Sequence, residues 1–145
     1  MIQKKNKGVK SLLRVLTAEE YQQRVKRTVS HPESELQIRC VKWFRMQYPQ
    51  YGRLLFSVPN GVKLKLTQAR IAKAEGMVAG VADLLLLVSD NIHHGLCIEL
   101  KNGQKGRQSD NQREWQEAVE REGYKYVICR TEIDFRTEIY RYLKK

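Results

Sequence analysis

Two acidic residues and a lysine stand at the ends of two short apolar segments. Asp83 directly precedes the apolar run 84–88, and Glu99 and Lys101 end the next run along the chain. Short apolar runs bounded by turn residues are typical of buried strands, and two in succession predict a hairpin. If this hairpin is centred on Asn91, Asp83 lies directly opposite Glu99, with Cβ atoms roughly 5 Å apart. Lys101 then lies on the same face, because strand side chains alternate.

These three side chains allow two kinds of chemistry. Charged groups on a buried sheet are costly unless they are paired or coordinate something. One interpretation is therefore an ion pair between Lys101 and one of the carboxylates at the end of a strand. The other is a metal site, because paired carboxylates suit Mg²⁺ or Mn²⁺ and a nearby lysine can stabilise charge developing on a phosphate. The three residues alone leave both interpretations open.

Four helices and four strands are predicted to position these residues. Ser109 and Gln112 form a capping box that starts the third helix, and Thr67 is the predicted cap of the second. Helices interleaved with a few strands predict an α/β fold, with a small mixed sheet flanked by helices. The predicted helices are 34–47, 67–75, 108–122 and 133–143, and the predicted strands are 54–58, 84–88, 96–101 and 124–130.

Composition and charge narrow the class of partner. The chain has 145 residues, a formal net charge of +11 and three widely spaced cysteines. The length predicts one globular domain, 31–145, preceded by a basic N-terminal arm, 1–30. The charge favours nucleic acid over a membrane, because no amphipathic stretch joins a strong apolar face to the basic one. The cysteine spacing fits neither a disulfide framework nor a zinc site, which predicts reduced core thiols of an intracellular protein.

The order of these motifs resembles the PD-(D/E)xK nuclease superfamily. More narrowly, it is similar to small stand-alone VRR-NUC proteins, which are typically phage or prophage proteins. The resemblance covers about residues 34–131. One position departs from the family pattern, since Ala82 stands where the family usually has a proline before the aspartate. The matching pieces are Glu35, 58–61, 76–83, 99–101, 109–112, Trp115 and 123–130.

The resemblance implies a restriction-endonuclease-like core and a metal-dependent endonuclease that hydrolyses DNA phosphodiester bonds. Asp83 and Glu99 would ligate Mg²⁺ or Mn²⁺, with Glu35 and the backbone carbonyl of Leu100 completing the site. Lys101 would orient or activate the attacking water, and Gln112 would position Lys101 or the DNA. Asn60 would lie near the scissile phosphate. The full set assigned to DNA contacts is Asn60, Lys63, Lys65, Arg70, Lys73, Lys105 and Arg107.

The resemblance also implies a homodimer that resolves Holliday junctions in the cytoplasm of a bacterial host cell. Three alternatives stay open at the level of the sequence. The first is a less selective nuclease that cuts flaps or duplex DNA. The second is a basic DNA-binding module without catalysis, for which phosphate contacts alone suffice. The third is a zinc protein that uses His31, His93, His94 and the cysteines, although their spacing matches no zinc motif.

Overall fold

The fold is an α/β sandwich in which four helices flank a four-stranded mixed sheet, as predicted. It is seen in a computed structural model that describes residues 32–59, 65–103 and 106–144. The predicted N-terminal arm lies outside the described residues. Within those ranges no helix is both long enough and apolar enough to span a membrane. The elements are α1 Pro32–Gln47, a 3-10 turn Pro49–Tyr51, β1 Leu55–Ser57, α2 Leu66–Ala74, β2 Leu84–Leu86, β3 Leu96–Leu100, α3 Asp110–Arg121, β4 Lys125–Cys129 and α4 Glu132–Leu143.

The sheet has the strand order β1-β2-β3-β4. β1 and β2 are antiparallel, as are β2 and β3, whereas β3 and β4 run parallel. In the central pair, Leu84 lies opposite Ile98. Continuing that register by one residue sets Asp83 opposite Glu99, so the hairpin is centred where the sequence predicts it.

The larger core lies between one face of the sheet and the helices α1 and α4. Alternate strand residues point to this face, so Leu96, Ile98 and Leu100 of β3 are all buried in one cluster. Phe44 of α1 and Phe135 of α4 are fully buried against them. Full burial of an apolar side chain of this size contributes roughly 1.5–3 kcal/mol. This face therefore supplies most of the stability that holds β3 in place.

The opposite face of the sheet carries a smaller cluster beneath α3. Ala82, Cys97 and Tyr126 are buried there, and Trp115 and Val119 of α3 pack against them. Glu99 points to the same face as Cys97, because it follows two residues later on the same strand. The helix α3 thus covers the face on which Glu99 and Asp83 lie.

The three cysteines are free and buried. Cys40 and Cys129 belong to the larger core, whereas Cys97 belongs to the smaller cluster. Burial raises the pKa of all three thiols, to about 12 for Cys40 and Cys129 and to about 11 for Cys97. The prediction of unpaired core thiols agrees with this placement.

Several predicted element ends are displaced. Lys65 precedes the first residue of α2, so the assignment of Thr67 as its cap is wrong, and no side chain caps this helix. β2 ends at Leu86 rather than continuing to residue 88. Beyond β2, the N–H of Leu87 donates to the carbonyl of Leu54 at 3.0 Å, and the hydroxyl of Tyr142 donates a hydrogen bond to the carbonyl of Val88 at 2.7 Å. The capping box of Ser109 and Gln112 is present as predicted.

Candidate active site

Asp83 is fixed by backbone contacts to both neighbouring strands. The N–H of Leu100 donates to Asp83 Oδ2 at 2.7 Å, and the carbonyl of Asp83 accepts from the N–H of Val58 at 3.2 Å. The preceding Ala82 is fully buried in the cluster beneath α3. The backbone is therefore held at Asp83 by packing and hydrogen bonds, without the proline that the family pattern has there.

Glu99 is a buried carboxylate whose two oxygens are both engaged. Only 1% of the residue is exposed. Lys101 Nζ lies 2.8 Å from Oε1 of Glu99, and the amide of Gln112 donates to the same oxygen. The hydroxyl of Tyr126 donates to Oε2 at 3.3 Å, the longest of these contacts. Three side chains, Lys101, Gln112 and Tyr126, thus contact the buried carboxyl group.

Gln112 serves the helix and the site together. Its Oε1 accepts from the N–H of Ser109 at 3.0 Å, which is one half of the capping box. The same oxygen accepts from Lys101 Nζ at 3.0 Å, while its amide donates to Glu99. The start of α3 is thereby tied to β3. The predicted proximity of Gln112 and Lys101 agrees with this geometry.

Both carboxylates lie in surroundings that disfavour their charged form. Burial raises the pKa of Asp83, against the lowering effects of the Leu100 N–H and the Lys101 charge. Burial likewise raises the pKa of Glu99, against the hydrogen bond from Lys101, and the charge of Asp83 raises it further. An additional cation near the two groups would relieve this cost, because an opposite charge favours the ionised form.

The donor set fits a hard divalent metal ion that keeps part of its water. Asp83 and Glu99 supply two carboxylates, and Mg²⁺ is commonly bound by one or two carboxylates plus substrate phosphate. Among the described residues, no group of three or more His, Cys, Asp or Glu side chains is arranged to hold a metal. Within the same part of the chain, the side-chain hydrogen bond of Asp83 is the one that Oδ2 accepts from the N–H of Leu100. Leu100 lies between Glu99 and Lys101, and the role of its carbonyl stays a prediction.

Of the two acids in the first turn of α1, Glu33 rather than Glu35 contacts the segment after β3, and the role of Glu35 stays a prediction. Glu33 and Glu35 both lie in the first turn of α1 and are exposed, and no hydrogen bond or ion pair joins Glu35 to another described residue. Glu33 accepts a hydrogen bond from the N–H of Asn102 at 3.0 Å, and its charge raises the pKa of Asp83. Residues two apart on a helix point in nearly opposite directions, so only one of these acids can face Asp83.

The structure describes four of the seven residues that the resemblance assigns to DNA contacts. Lys65, Arg70 and Lys73 are exposed around α2, and Arg107 is exposed before α3. All four can reach a polyanion, and their contacts with DNA stay predictions. The remaining three assigned residues, Asn60, Lys63 and Lys105, lie outside the described residues.

Two further side chains of the site were missed by sequence reasoning. Tyr126 lies beside Cys97 in the parallel β3–β4 register and reaches Glu99. Arg130 donates to the carbonyls of Gly103 and Gly106 at 2.8 and 2.9 Å, and so holds the segment that follows Lys101. The alternation of β4 gives the face of Tyr126, but its partner strand had to be known first. No sequence signal marks Arg130.

Comparisons with known proteins agree with this fold. The profile of the VRR-NUC domain matches residues 16–132. Because the match begins inside the predicted arm, the division at residue 30 stays a prediction. A solved structure described as a VRR_NUC domain protein has a TM-score of 0.69 and 24% sequence identity, over 79% of this chain and 90% of that one. No curated protein gives a significant match.

Proposed function

The chain belongs to the VRR-NUC family of nuclease domains, and on this premise we propose that it is a divalent-metal-dependent endodeoxyribonuclease acting on branched DNA. The observation that carries the proposal is the convergence of Asp83, Glu99 and Lys101 on the sheet face beneath α3. A structural ion pair requires only Lys101 and one acid. A second carboxylate with a raised pKa beside that pair favours a metal site.

Each residue of the site has a separable task. Asp83 and Glu99 would hold Mg²⁺ or Mn²⁺, which when bound lowers the pKa of water and neutralises charge at the phosphate. Lys101, whose side chain is 12% exposed, lies between Glu99 and Gln112 and presents a fixed ammonium group to an entering phosphate. Gln112 limits the rotation of Lys101 and so orients it. Fixed charges of this kind stabilise the transition state without reorganisation.

We infer that Glu33 is a stronger candidate than Glu35 for the acid of the first helix, because Glu33 accepts a hydrogen bond from the N–H of Asn102, next to Lys101, and its charge raises the pKa of Asp83. The two acids form a matched pair of variants. Glu33→Gln is expected to weaken Mg²⁺ binding measured by calorimetry, whereas Glu35→Gln is expected to leave it within twofold of the wild type. The reverse order would establish the original prediction for Glu35.

We propose DNA as the substrate and a homodimer as the active assembly in the cytoplasm of a bacterial host. The net charge of +11 supports a polyanionic substrate, since neutralising phosphates releases counterions. A Holliday junction presents paired strands for symmetric cutting, which suits a two-fold symmetric dimer. The less selective flap or duplex nuclease remains the second candidate, because the same metal chemistry would serve it.

The deciding experiment compares cleavage of labelled four-way junction, flap and linear duplex DNA with Mg²⁺, Mn²⁺ or EDTA. Wild type is expected to cut the junction symmetrically only with metal. Asp83→Asn and Lys101→Ala are expected to lower the cleavage rate by at least 100-fold, the scale on which a transition-state contact is lost, while binding stays within threefold. Mg²⁺ is expected to raise the Tm of wild type but not of Asp83→Asn.

Lys125→Ala is the matched control for Lys101→Ala. Lys125 also lies on the sheet and pairs with an acid, Glu138, at 3.0 Å, but on β4 and away from Asp83. Its removal is expected to leave the cleavage rate unchanged. Cutting of flap or duplex in preference to the junction would keep the chemistry and remove the junction role. Tight binding with no cutting under any metal would assign the chain to the non-catalytic module.

A further inference from the structure

The helix α2 lies outside the packed core. None of the nine residues of Leu66–Ala74 is buried, although the helix is described throughout. Its first residue, Leu66, is 81% exposed, and Ile71 is 52% exposed. An isolated helix of this length is marginal in water, because most helical stability in proteins comes from packing. The helix therefore presents both faces to solvent or to a partner.

The exposed apolar side chains around α2 are concentrated in one stretch. Met77 and Val78, in the segment after the helix, are 46% and 53% exposed. Four large exposed apolar side chains therefore lie within thirteen residues of sequence, 66–78.

The same helix is basic. The sequence of α2 contains Arg70 and Lys73 and no acidic residue, and Lys65 precedes it directly. Leu66, Arg70 and Lys73 follow the i, i+4, i+7 spacing, which aligns them along one side of a helix. An apolar side chain at the start of a cationic stripe matches a partner with both an anionic backbone and flat apolar surfaces.

A short, tightly packed segment connects α2 to Asp83. Gly80 has a φ of +83°, and a Cβ placed on it would lie 2.3 Å from the carbonyl oxygen of Asn111 in α3. Asp83 follows three residues later. The backbone between α2 and Asp83 is thus packed closely against the first turn of α3. This contact fixes the position of the segment that joins α2 to Asp83.

We propose that α2 reads unpaired or unstacked bases at a branch point: Arg70 and Lys73 bind the phosphates while Leu66 packs against an exposed base. This inference rests on the proposed nuclease function and names what the same site recognises. Bases in an intact duplex are stacked and closed to such contact, and separating one base step costs a few kcal/mol. A branch point or a single-stranded end offers the base face at much lower cost.

A second copy of the chain fits this surface less well. In a two-fold symmetric interface each patch meets its own copy, so Lys65, Arg70 and Lys73 would oppose the same three cations. Like charges placed against each other disfavour association. The negatively charged backbone of DNA instead complements all three.

The test measures binding of the full-length protein to a splayed-arm DNA and to a duplex of equal length and sequence, in EDTA. Leu66→Ala is expected to weaken splayed-arm binding about tenfold, the scale of one base contact, and duplex binding by less than twofold. Leu66→Phe is expected to retain or tighten splayed-arm binding. Arg70→Gln with Lys73→Gln is expected to weaken binding to both DNAs and to reduce the salt slope by about 2.

Ile92→Ala is the matched control, because Ile92 is 80% exposed at the opposite end of the β2–β3 hairpin. It is expected to bind both DNAs as wild type does. Equal losses on both DNAs in Leu66→Ala, or no loss on either, would overturn the inference. A change of oligomeric state in Leu66→Ala, measured by light scattering, would also overturn it and assign the surface to a second copy.

The binding experiment separates this inference from the proposed function. Wild-type protein that cuts no DNA with any metal, yet loses splayed-arm binding in Leu66→Ala, would remove the nuclease proposal and keep the base-reading surface. Efficient branch cutting that is unaffected by Leu66→Ala would keep the nuclease and remove the role of α2.

Discussion

At the scale of single residues, Tyr126 holds the carboxylate that the proposed metal requires. Its hydroxyl contacts Glu99 Oε2 at 3.3 Å, and its ring packs edge-on against Trp115 at 6.1 Å between centroids. The ring contact needs no hydroxyl. The two roles of Tyr126, packing and positioning, are therefore separable by one substitution.

We expect Tyr126→Phe to keep the fold and to weaken Mg²⁺ binding about tenfold, as loss of a second-layer partner of a metal ligand commonly does. Calorimetry of metal binding and the Mg²⁺ dependence of the cleavage rate measure this. Tyr142→Phe is the control, because its hydroxyl is also hydrogen-bonded and buried, 2.7 Å from the carbonyl of Val88. It should lose about 1 kcal/mol of stability and no metal affinity. Equal metal affinity in both variants would limit Tyr126 to packing.

At the level of residues, the sequence could predict only contacts that follow from the alternation of strand side chains and the spacing of apolar residues. The opposition of Asp83 and Glu99 follows from two apolar runs and the turn between them, and it agrees with the β2–β3 register continued by one residue beyond Leu84 and Ile98. The choice between Glu33 and Glu35 depends on how α1 is rotated on the sheet, which its packing decides. The apolar spacing of Leu36, Cys40 and Phe44 indicates that rotation, whereas no local signal gives the strand beside which Tyr126 lies.

At the scale of elements, the segment between α2 and Asp83 is fitted closely to α3. Gly76 and Gly80 both have positive φ, +100° and +83°. A Cβ on Gly76 would meet nothing within 4 Å, whereas one on Gly80 would collide with the backbone of Asn111. The two glycines thus share the same backbone requirement and differ in packing.

We expect Gly76→Ala to cost about 1–2 kcal/mol of stability, the price of a left-handed conformation for a residue with a Cβ. Gly80→Ala should cost more, and it should also lower cleavage, because the collision displaces Asp83 relative to Gln112. Denaturant unfolding and cleavage rates of the two variants measure the difference. Identical losses in both would mean that the contact with α3 does not position Asp83.

The turn of the hairpin contains a second constraint, at Asp90. Burial alone would raise the pKa of Asp90, but hydrogen bonds from His93 and Ile92 outweigh it and lower the pKa from 3.8 to about 2. A lowered folded-state pKa stabilises the fold above the unfolded pKa, and this stabilisation is lost as the pH falls through the folded value. The contribution of Asp90 should thus be complete above pH 4 and lost towards pH 2.

We therefore expect Asp90→Asn to be less stable than wild type at pH 7, with the difference shrinking between about pH 4 and pH 2. Urea unfolding at several pH values measures it. A difference that stays constant across that range would show that the carboxylate charge does not hold the turn.

The order of elements was predictable, but their ends were not. All eight predicted helices and strands are present in sequence order, because each has either an apolar periodicity or a turn signal at its borders. The cap of α2 was placed two residues too late, at Thr67, whereas the helix begins after Lys65 without a side-chain cap. β2 ends at Leu86, and the carbonyl of Val88 beyond it accepts a hydrogen bond from Tyr142, which is 54 residues away in sequence.

At the scale of the whole molecule, charge should dominate association with DNA. The excess of positive charge is +11, and each neutralised phosphate contributes about −0.9 to the slope of log affinity against log salt. We expect a steep slope for wild type, measured by anisotropy between low and physiological salt. Asp83→Asn should retain that slope, since the substitution removes no lysine or arginine that could neutralise a phosphate. A flat salt dependence would exclude nucleic acid as the main partner.

The buried thiols give the molecule three internal reporters of opening. Thiolates are the reactive form, and all three pKa values lie well above neutral pH. A thiol reagent should therefore modify the native protein only as fast as its layers separate. Cys97 would report the separation of α3 from the sheet face that carries Asp83 and Glu99, whereas Cys40 and Cys129 would report the loss of the larger core. Labelling rates would thus show whether α3 separates from the sheet before the larger core opens.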